Sequence, residues 1–248
     1  MVSGQTLLGK ILRWPLSLIP GESTIRILRG PLRGLRWTVG ASSHACWAGT
    51  YEVDSLAAFA AAIAPGACVY DVGANAGIYT LLASRKAGPS GKVYAFEPLE
   101  RNLRYLHGHV AMNQLQNCVV LEVAVSDKDG TQRFSAAAWH HCMGRLAPDG
   151  ELEIPTVTLD HCIYGERQLR PPNVIKIDVE GAELPVLQGT SRALTEYHPS
   201  VFVETHGDQR HVDCCKFLAA KGYRLKDEYC RITATWEPKT SPVLKTTP

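Results

Sequence analysis

The sequence predicts an α/β fold: a Rossmann-like, doubly wound sheet of seven mostly parallel strands with an antiparallel edge hairpin, plus an N-terminal extension of helix and strand. The first observation is the alternation of short apolar runs with helical patterns between residues 68 and 221. The second is the segment 69–77, an apolar run that leads through small residues into a helix. The third is the alternating pattern of residues 223–236, which is typical of a hairpin. Strands that alternate with helices form a parallel sheet covered on both faces.

Residues 1–64 are predicted to form the extension, which caps the core, contacts substrate or contacts a second subunit. The apolar segment 7–19 has helical spacing, and its packing on the core or on a partner is favoured over a membrane surface because it carries only two cations. The stretches 26–28 and 35–39 could pair as strands. Residues 53–64 are alanine-rich and favour a helix that ends before Pro65 and Gly66.

Residues 65–238 are predicted to form the core, and residues 239–248 a C-terminal tail. Between 127 and 172 the pattern is less regular, and we expect the loop 137–153 to carry substrate contacts. The predicted strands are 68–73, 92–97, 118–125, 131–136, 154–158, 174–178 and 201–204, and the predicted helices are 77–86, 99–112, 182–197 and 211–221.

Composition limits the class of protein. The chain has 248 residues, 45% of them hydrophobic, which suits one compact domain. A net charge of +2 gives too weak a field to gather nucleic acid, so no nucleic-acid partner is expected. Segment 7–19 is too short for a transmembrane segment, and its apolar face is compatible with a homodimer. Eight cysteines without a Cys-x-x-Cys pair favour buried thiols and a cytoplasmic location.

The turn after the first core strand indicates the ligand. A nicotinamide dinucleotide fingerprint requires three glycines, but the corresponding residues are Gly73, Asn75 and Ile78. Asp71, predicted at the crevice floor, would repel a pyrophosphate and would suit a ligand with a cationic end. S-adenosylmethionine carries an ammonium and a sulfonium. Glu97 ends the next strand, where a carboxylate can accept hydrogen bonds from two ribose hydroxyls.

These residues, with Gly77 completing the turn, resemble the cofactor motif of class I methyltransferases. More specifically, the chain resembles the FkbM-type methyltransferases over about residues 47 to 206. The matching segments are Gly49-Thr50-Tyr51-Glu52, Asp71 to Gly77, Phe96-Glu97-Pro98, Ala124-Val125-Ser126-Asp127, Thr158-Leu159-Asp160, Ile175 to Glu183 and Val186-Leu187-Gln188-Gly189.

The resemblance implies S-adenosylmethionine-dependent methyl transfer onto a hydroxyl oxygen of a small molecule, such as a sugar, a glycoside or a polyketide-like natural product. It also implies that Tyr51 and Glu52 lie near the cofactor cleft, although packing at a helix start would explain them equally. Three alternatives stay open: a cofactor-binding module without catalysis, an N- or C-methyltransferase acting on another acceptor, and a nicotinamide-dependent oxidoreductase that shares the sheet topology.

Asp178 is the main candidate for catalysis. It ends the fourth parallel strand, beside the predicted crevice, where its carboxylate could contact the cofactor, act as general base or hold a divalent cation. The alternative is a helix N-cap. Glu204 and His206 follow the fifth strand and would emerge at the same edge, so the three residues predict a site for Mg²⁺ or another divalent cation. His206 is also a catalytic candidate.

Other candidates have weaker signals. His141 could serve as general base if its loop folds over the crevice, although a solvated loop is the simpler interpretation. Ala124 and Val125 are predicted to line the adenine face, and Asp127 could accept the adenine amino group or simply form a turn. Lys176 shares the Asp178 face of its strand and could pair with an acidic neighbour or orient the acceptor. Glu180 and Glu183 are assigned mainly to the electrostatics of the following helix.

Overall fold

The structure is a computed structural model that describes residues 19–135, 145–146, 149–228 and 230–236. A central sheet of seven strands confirms the predicted fold. Its strands are β3 (Cys68–Val72), β4 (Lys92–Phe96), β5 (Cys118–Leu121), β10 (Val174–Ile177), β11 (Ser200–Glu204), β12 (Tyr223–Glu228) and β13 (Arg231–Trp236). They lie in the order β12-β13-β11-β10-β3-β4-β5. The five strands from β11 to β5 run parallel, while β13 and β12 are antiparallel.

Eight α-helices in the described ranges connect and cover these strands. They are α1 (His44–Ala48), α2 (Val53–Ala62), α3 (Ile78–Ala87), α4 (Glu100–Met112), α5 (Leu159–Tyr164), α6 (Glu183–Gln188), α7 (Ser191–Tyr197) and α8 (Asp208–Ala220). None of the described helices is long and apolar enough to span a membrane.

The order of the strands creates a crevice beside β3. The chain leaves β3 for β4 and β5 on one side, and later returns to place β10 and β11 on the other. Helices that leave neighbouring strands in opposite directions open a gap at the carboxyl ends, where α/β proteins bind ligands. Loops after β3, β4 and β10 therefore meet at one edge.

Both faces of the central strands are buried, because successive side chains point to opposite sides. Val69 and Val174 pack with Leu81 of α3 on one face. Tyr70 and Ile175, their immediate neighbours, belong to the other face and pack with Val186, Leu187 and Leu218. The sheet is therefore a rigid platform that fixes the positions of the loops at its carboxyl edge.

The predicted strand 118–125 is wrong in one respect, because it is two strands that belong to different sheets. β5 ends at Leu121, and a tight turn, in which the Val123 amide donates to the Leu121 carbonyl at 2.9 Å, redirects the chain. The next strand belongs to a separate four-stranded sheet, which the sequence did not predict. The strands of this second sheet are β6 (Ala124–Val125), β7 (Gly130–Ser135), β8 (Arg145–Leu146) and β9 (Leu152–Val157), and they lie in the order β6-β9-β7-β8.

The predicted helix 182–197 is also wrong, because it is two helices, α6 and α7. The break occurs at Gly189, which packs so closely on the Ser126 carbonyl that a Cβ atom would lie 2.0 Å from that oxygen. The Thr190 hydroxyl then donates to the Val186 carbonyl at 2.6 Å. Contact with the second sheet thus ends a helix that propensity alone would continue.

The extension packs on the core. β1 (Thr24–Arg26) and β2 (Arg36–Thr38) form an antiparallel pair, close to the two stretches that the sequence indicated. Trp37 is fully buried and stacks on His109 of α4, with ring centroids 4.0 Å apart. Asn113, the C-cap of α4, exchanges hydrogen bonds with the Arg36 backbone. The predicted helix 7–19 and the tail 239–248 lie outside the described residues.

Candidate active site

Two adjoining cavities open at the carboxyl edge of the central sheet. The first encloses about 610 Å³ and the second about 420 Å³ of space, part of which is open to solvent. Gly73, Asn75 and Asp178 line both cavities, so the two cavities adjoin at these residues, and together they are called the crevice. The first cavity is also lined by Phe96, Glu97, Pro98, Leu99, Asn102, Ala124, Val125, Phe134, Val179, Glu180 and Ala182.

Glu97 is a buried carboxylate at the end of β4, with 4% of its surface exposed. Its Oε2 accepts the Asn75 amide at 2.8 Å, and its Oε1 accepts the Leu99 amide at 3.0 Å and the Asn102 side-chain amide at 3.2 Å. Burial raises the pKa of Glu97, and the three N–H donors oppose that shift. A carboxylate has about four acceptor positions. Glu97 can therefore hold the loop and still accept a hydroxyl from a ligand in the cavity.

The loop from Gly73 to Gly77 requires its glycines. Gly73 has a φ of 76°, and a Cβ atom there would lie 1.9 Å from the Asp178 carbonyl oxygen. Gly77 has a φ of 95°, and a Cβ atom would lie 2.6 Å from Leu106. Asn75 adopts a left-handed φ of 51° between them, so its amide points at Glu97. This geometry lets the β3 and β10 loops approach each other at the crevice.

Asp71 lies beneath the crevice and lines neither of its two cavities. It is fully buried, its Oδ2 accepts the Thr80 hydroxyl at 2.6 Å, and its Oδ1 has no hydrogen-bond partner in the described ranges. Burial raises the pKa of Asp71, while the charge of Lys176 lowers it. The part that Asp71 takes in cofactor binding stays a prediction, and the carboxylates that line the crevice directly are Glu97, Asp178 and Glu180.

Lys176 is a buried cation that pairs with Asp178, as one of the two sequence interpretations predicted. Its Nζ lies 3.0 Å from Asp178 Oδ2, and it stands over the Tyr79 ring at 4.7 Å from the centroid. Burial lowers the pKa of Lys176, but the charges of Asp178 and Asp71 outweigh it and the net shift is upward. The ammonium therefore orients the Asp178 carboxylate.

Asp178 does not cap the following helix. The N-cap of α6 is Ala182, and no side chain caps that helix end. Instead Asp178, Glu180 and His206 each offer one ligand atom, and these atoms lie within 4.8 Å of one another. His206 Nε2 is 3.9 Å from Asp178 Oδ1 and 3.3 Å from Glu180 Oε2.

Glu183 determines the orientation of His206. It is fully buried, and its Oε1 lies 2.7 Å from His206 Nδ1 and accepts the Gly181 amide at 2.8 Å. The hydrogen bond to Glu183, followed by the charges of Glu180 and Asp178, raises the pKa of His206 from 6.5 to about 9 against the opposing effect of burial. At neutral pH His206 is therefore an imidazolium, held with Nε2 toward the two crevice carboxylates.

Glu204 does not join this cluster, which corrects its predicted place in the metal site. Its carboxylate pairs with Arg231, which lies opposite it across the β11–β13 ladder at 3.3 Å. Arg231 also contacts Glu52 at 3.3 Å. The cross-strand cation satisfies Glu204, and Glu180 takes the third position beside Asp178 and His206.

The remaining sequence candidates are distributed around the crevice. Tyr51 and Gly77 line the second cavity. Glu52 accepts the Tyr79 hydroxyl at 2.7 Å, lines neither cavity and has a left-handed φ of 37°. Asp127 is exposed, accepts the Ser126 hydroxyl at 3.0 Å and also lines neither cavity, so its contact with adenine stays a prediction. His141 lies outside the described residues.

Comparison with known proteins identifies the family of this chain. A family model described as the methyltransferase FkbM domain matches residues 71–225, more than half of the sequence. The chain belongs to the FkbM methyltransferase family. Hexuronic acid methyltransferase AglP of Haloferax volcanii is 31% identical over 162 residues, which are 61% of each chain. The 31-O-demethyl-FK506 methyltransferase FkbM of Streptomyces tacrolimicus is 29% identical over 175 residues, 57% of this chain and 66% of that relative.

This FkbM-family chain thus spans less than two thirds of the length of both relatives. It also shares its fold with a crystal structure of methyltransferase FkbM from Methylobacillus flagellatus KT. That structure aligns with a TM-score of 0.52 and 19% sequence identity, over 68% of this chain and 43% of that chain.

Asn102, Phe134 and Glu180 are among the lining residues of the crevice to which the sequence assigned no site role. Asn102 faces Glu97 from the first turn of α4, and Phe134 comes from β7 of the second sheet. Neither has a local signal. Glu180 does have one, because it lies two residues beyond Asp178 just after a strand end. The left-handed φ of 54° at Glu180 contributes to its position in the lining of the first cavity, and the sequence did not predict this backbone conformation.

Proposed function

We propose that this chain is an S-adenosylmethionine-dependent O-methyltransferase that acts on a hydroxyl of a small molecule. The observation that carries the proposal is the pair of adjoining cavities, with the Glu97 carboxylate in the wall of the first and Asp178 in the lining of both. Membership of the FkbM family supports it. The cofactor, when bound, would supply an electrophilic methyl group on a cationic sulfur.

The crevice lining fits this cofactor. Glu97 offers acceptor positions for ribose hydroxyls, and Ala124, Val125 and Phe134 form an apolar wall suited to adenine. The second cavity is lined by the start of α3, whose first N–H groups have no partner within the helix and favour a carboxylate. Asp178 and Glu180 bring negative charge to the first cavity, which favours a sulfonium.

Asp178 is proposed as the general base. Lys176 holds its Oδ2, while its Oδ1 faces the crevice cluster, so an acceptor hydroxyl can deliver its proton there. His206 is protonated at neutral pH in this arrangement, which assigns it to balancing and orienting the two carboxylates. Positioning supplies the rest of the catalysis, because methyl transfer is an in-line displacement. It requires the acceptor oxygen to be held about 3 Å from the methyl carbon.

We further propose that Asp178, Glu180 and His206 can hold a divalent cation such as Mg²⁺ in place of the His206 proton. Two carboxylates and one imidazole suit Mg²⁺ or Mn²⁺. The Glu183–His206 hydrogen bond is the kind of outer contact that orients a metal-binding histidine. Chelation followed by addition of Mg²⁺ or Mn²⁺ tests this, because turnover should be lost and restored in the parent chain. In Glu180→Gln the restoration should be weaker, and turnover indifferent to chelation would contradict a metal role.

The relatives suggest which acceptors to screen. One is named for a hexuronic acid and another for an oxygen of an FK506-type compound. Mass spectrometry of reactions with hexuronic acids, other sugars and hydroxylated polyketides should show a gain of one methyl on oxygen. Methylation of nitrogen or carbon would select the alternative acceptor class.

The Asp178→Asn variant separates catalysis from binding alone. We expect a fall of about a hundredfold or more in turnover, with S-adenosylmethionine binding in calorimetry retained within about tenfold. Asp54→Asn, at an exposed position of α2, is the matched control and should leave both unchanged. Binding without turnover on any acceptor, in the parent chain, would favour the cofactor-binding module.

The predicted homodimer, the cytoplasmic location and the lack of a nucleic-acid partner stay predictions.

A further inference from the structure

A second cluster of potential metal ligands lies between α8 and the edge hairpin. His211 and Cys215 are four residues apart and therefore share one face of α8. Asp227 reaches them from β12. Each of the three residues offers one ligand atom, and these atoms lie within 4.8 Å of one another.

The distances in this cluster are close to those of a tetrahedral zinc site. His211 Nε2 lies 2.9 Å from Asp227 Oδ1 and 3.8 Å from Cys215 Sγ. Zinc bond lengths of about 2.0–2.3 Å imply ligand separations of about 3.4 Å between nitrogen and oxygen and about 3.6 Å between nitrogen and sulfur. The two His211 distances lie within about 0.5 Å of these separations, and the ligand atoms of Asp227 and Cys215 lie within 4.8 Å of each other.

The hydrogen bonds of His211 show which of its nitrogens is available. The buried Thr205 hydroxyl lies 2.8 Å from His211 Nδ1 and 3.0 Å from the Cys230 carbonyl oxygen. The contact with Nδ1 fixes the orientation of the imidazole ring. The other ring nitrogen, Nε2, therefore faces the cluster, 2.9 Å from Asp227 Oδ1.

We propose that His211, Cys215 and Asp227 bind a divalent zinc-class cation, with water as the fourth ligand. Nitrogen, sulfur and oxygen donors together suit Zn²⁺ better than Mg²⁺ or Ca²⁺. Thr205 contacts the nitrogen that faces away from the cluster and orients the ring, which is the usual role of a residue behind a metal-binding imidazole. The Asp227 side chain is 52% exposed and that of His211 15%, which gives the ion a path of entry. The ion would tie α8 to the edge hairpin.

Cobalt substitution tests the site on the full chain. Co²⁺ added to metal-free protein should produce the thiolate charge-transfer band and the visible bands of a tetrahedral N, S and O site. Cys215→Ser should abolish the charge-transfer band, and Asp227→Asn should weaken Co²⁺ and Zn²⁺ binding at least tenfold. Thr205→Val preserves shape but removes the orienting hydroxyl, and should weaken binding by about 10- to 100-fold.

Matched controls separate this site from other thiols and from the crevice. Cys118→Ser on β5 and Asp213→Asn, at a half-buried position of α8 outside the cluster, should keep the spectrum and the affinity. His206→Gln, which alters the sulfur-free crevice cluster, should also keep the charge-transfer band. Zn²⁺ should raise the melting temperature of the parent chain and not that of Cys215→Ser, with circular dichroism confirming that each variant folds. Absence of a thiolate band, or equal metal affinity in Cys215→Ser, would overturn the proposal.

Discussion

At the level of single residues, the Glu97 carboxylate serves two purposes at once. It fixes the Asn75 and Leu99 amides, and it faces the cavity in which a ligand would bind. The same negative charge is thus needed for the shape of the loop and for recognition. Replacing Glu97 by glutamine removes the charge and keeps the length of the side chain, so it tests the effect of the charge apart from that of packing.

Glu97→Gln should weaken S-adenosylmethionine binding by about 10- to 100-fold. The amide group of glutamine would face N–H donors, and each lost charge-assisted hydrogen bond costs about 1.5–3 kcal/mol. Isothermal titration calorimetry measures the change. Glu100→Gln, at the exposed first turn of α4, is the control and should bind normally. Unchanged affinity in Glu97→Gln would exclude Glu97 from ligand binding.

His109 predicts how stability depends on pH. Its Nε2 accepts the Thr38 amide at 2.9 Å, its Nδ1 contacts the Ala76 carbonyl at 2.7 Å, and burial lowers its pKa from 6.5 to about 4. Between these pH values the unfolded chain binds a proton that the folded chain does not, so the free energy of unfolding should fall as pH decreases from about 6.5 to about 4. The loss through this residue is about 3 kcal/mol.

Urea unfolding at several pH values measures this dependence. His109→Gln should be less stable at neutral pH but should lose less stability on acidification than the parent chain. His107→Gln changes an exposed histidine of the same helix and should keep the parent slope. The same acid slope in all three proteins would show that His109 is not the responsible group.

At the level of elements, the close crossing of two loops forms the crevice. Gly73, after β3, passes the carbonyl of Asp178, after β10, with no room for a side chain. Because Asp178 is also the proposed base, backbone packing and chemistry are coupled at this point. The contact therefore determines where the carboxylate stands relative to the loop 73–77.

Gly73→Ala should destabilise the fold and abolish cofactor binding. The positive φ alone costs about 1–2 kcal/mol, and relief of the clash with a backbone carbonyl should add at least about 2 kcal/mol. Gly34→Ala is the matched control, since its φ is 89° and nothing lies within 4 Å of an added Cβ atom. Chemical denaturation of both variants gives the difference. An equal loss of unfolding free energy in both variants would show that the loops after β3 and β10 can move apart without cost.

At the level of the whole molecule, the extension and the core share one hydrophobic cluster. Trp37 and Trp47 from the extension belong to the same cluster as Leu81 and Val69 of the core. His109 links this cluster to the crevice, because it bonds the Thr38 amide on one side and the Ala76 carbonyl on the other. The extension and the ligand-binding loop are therefore parts of one packed unit.

Ligand binding should stabilise this unit as a whole. S-adenosylmethionine at a hundred times its Kd should add about 2.7 kcal/mol to the free energy of unfolding, which corresponds to a rise of roughly 5–10 °C in Tm for a chain of this size. Differential scanning calorimetry measures the shift. NADH serves as the negative control, since Asn75 and Ile78 replace glycines of the dinucleotide fingerprint. A shift with NADH and none with S-adenosylmethionine would reverse the assignment.

Local patterns were sufficient for the central sheet and for much of the crevice lining. Strand and helix periodicities depend on neighbouring residues, so β3, β4, β10 and the edge hairpin could be predicted directly. The same holds for Gly73, Asn75, Glu97 and Asp178, because residues at the carboxyl ends of parallel strands must meet at one edge. Position at a strand end also predicted Ala124 and Val125, and the family resemblance added Tyr51 and Pro98; all four line the crevice.

Other features depend on contacts between distant parts of the chain. The break between α6 and α7 results from Gly189 meeting Ser126, and the wall residue Phe134 belongs to a sheet whose strands pair across a long insertion. Arg231, on the antiparallel neighbour of β11, pairs with Glu204. Glu180 therefore lies beside Asp178 and His206 at the position that the sequence predicted for Glu204. Sequence spacing orders side chains along one element, whereas strand order and register determine which charges become partners across elements.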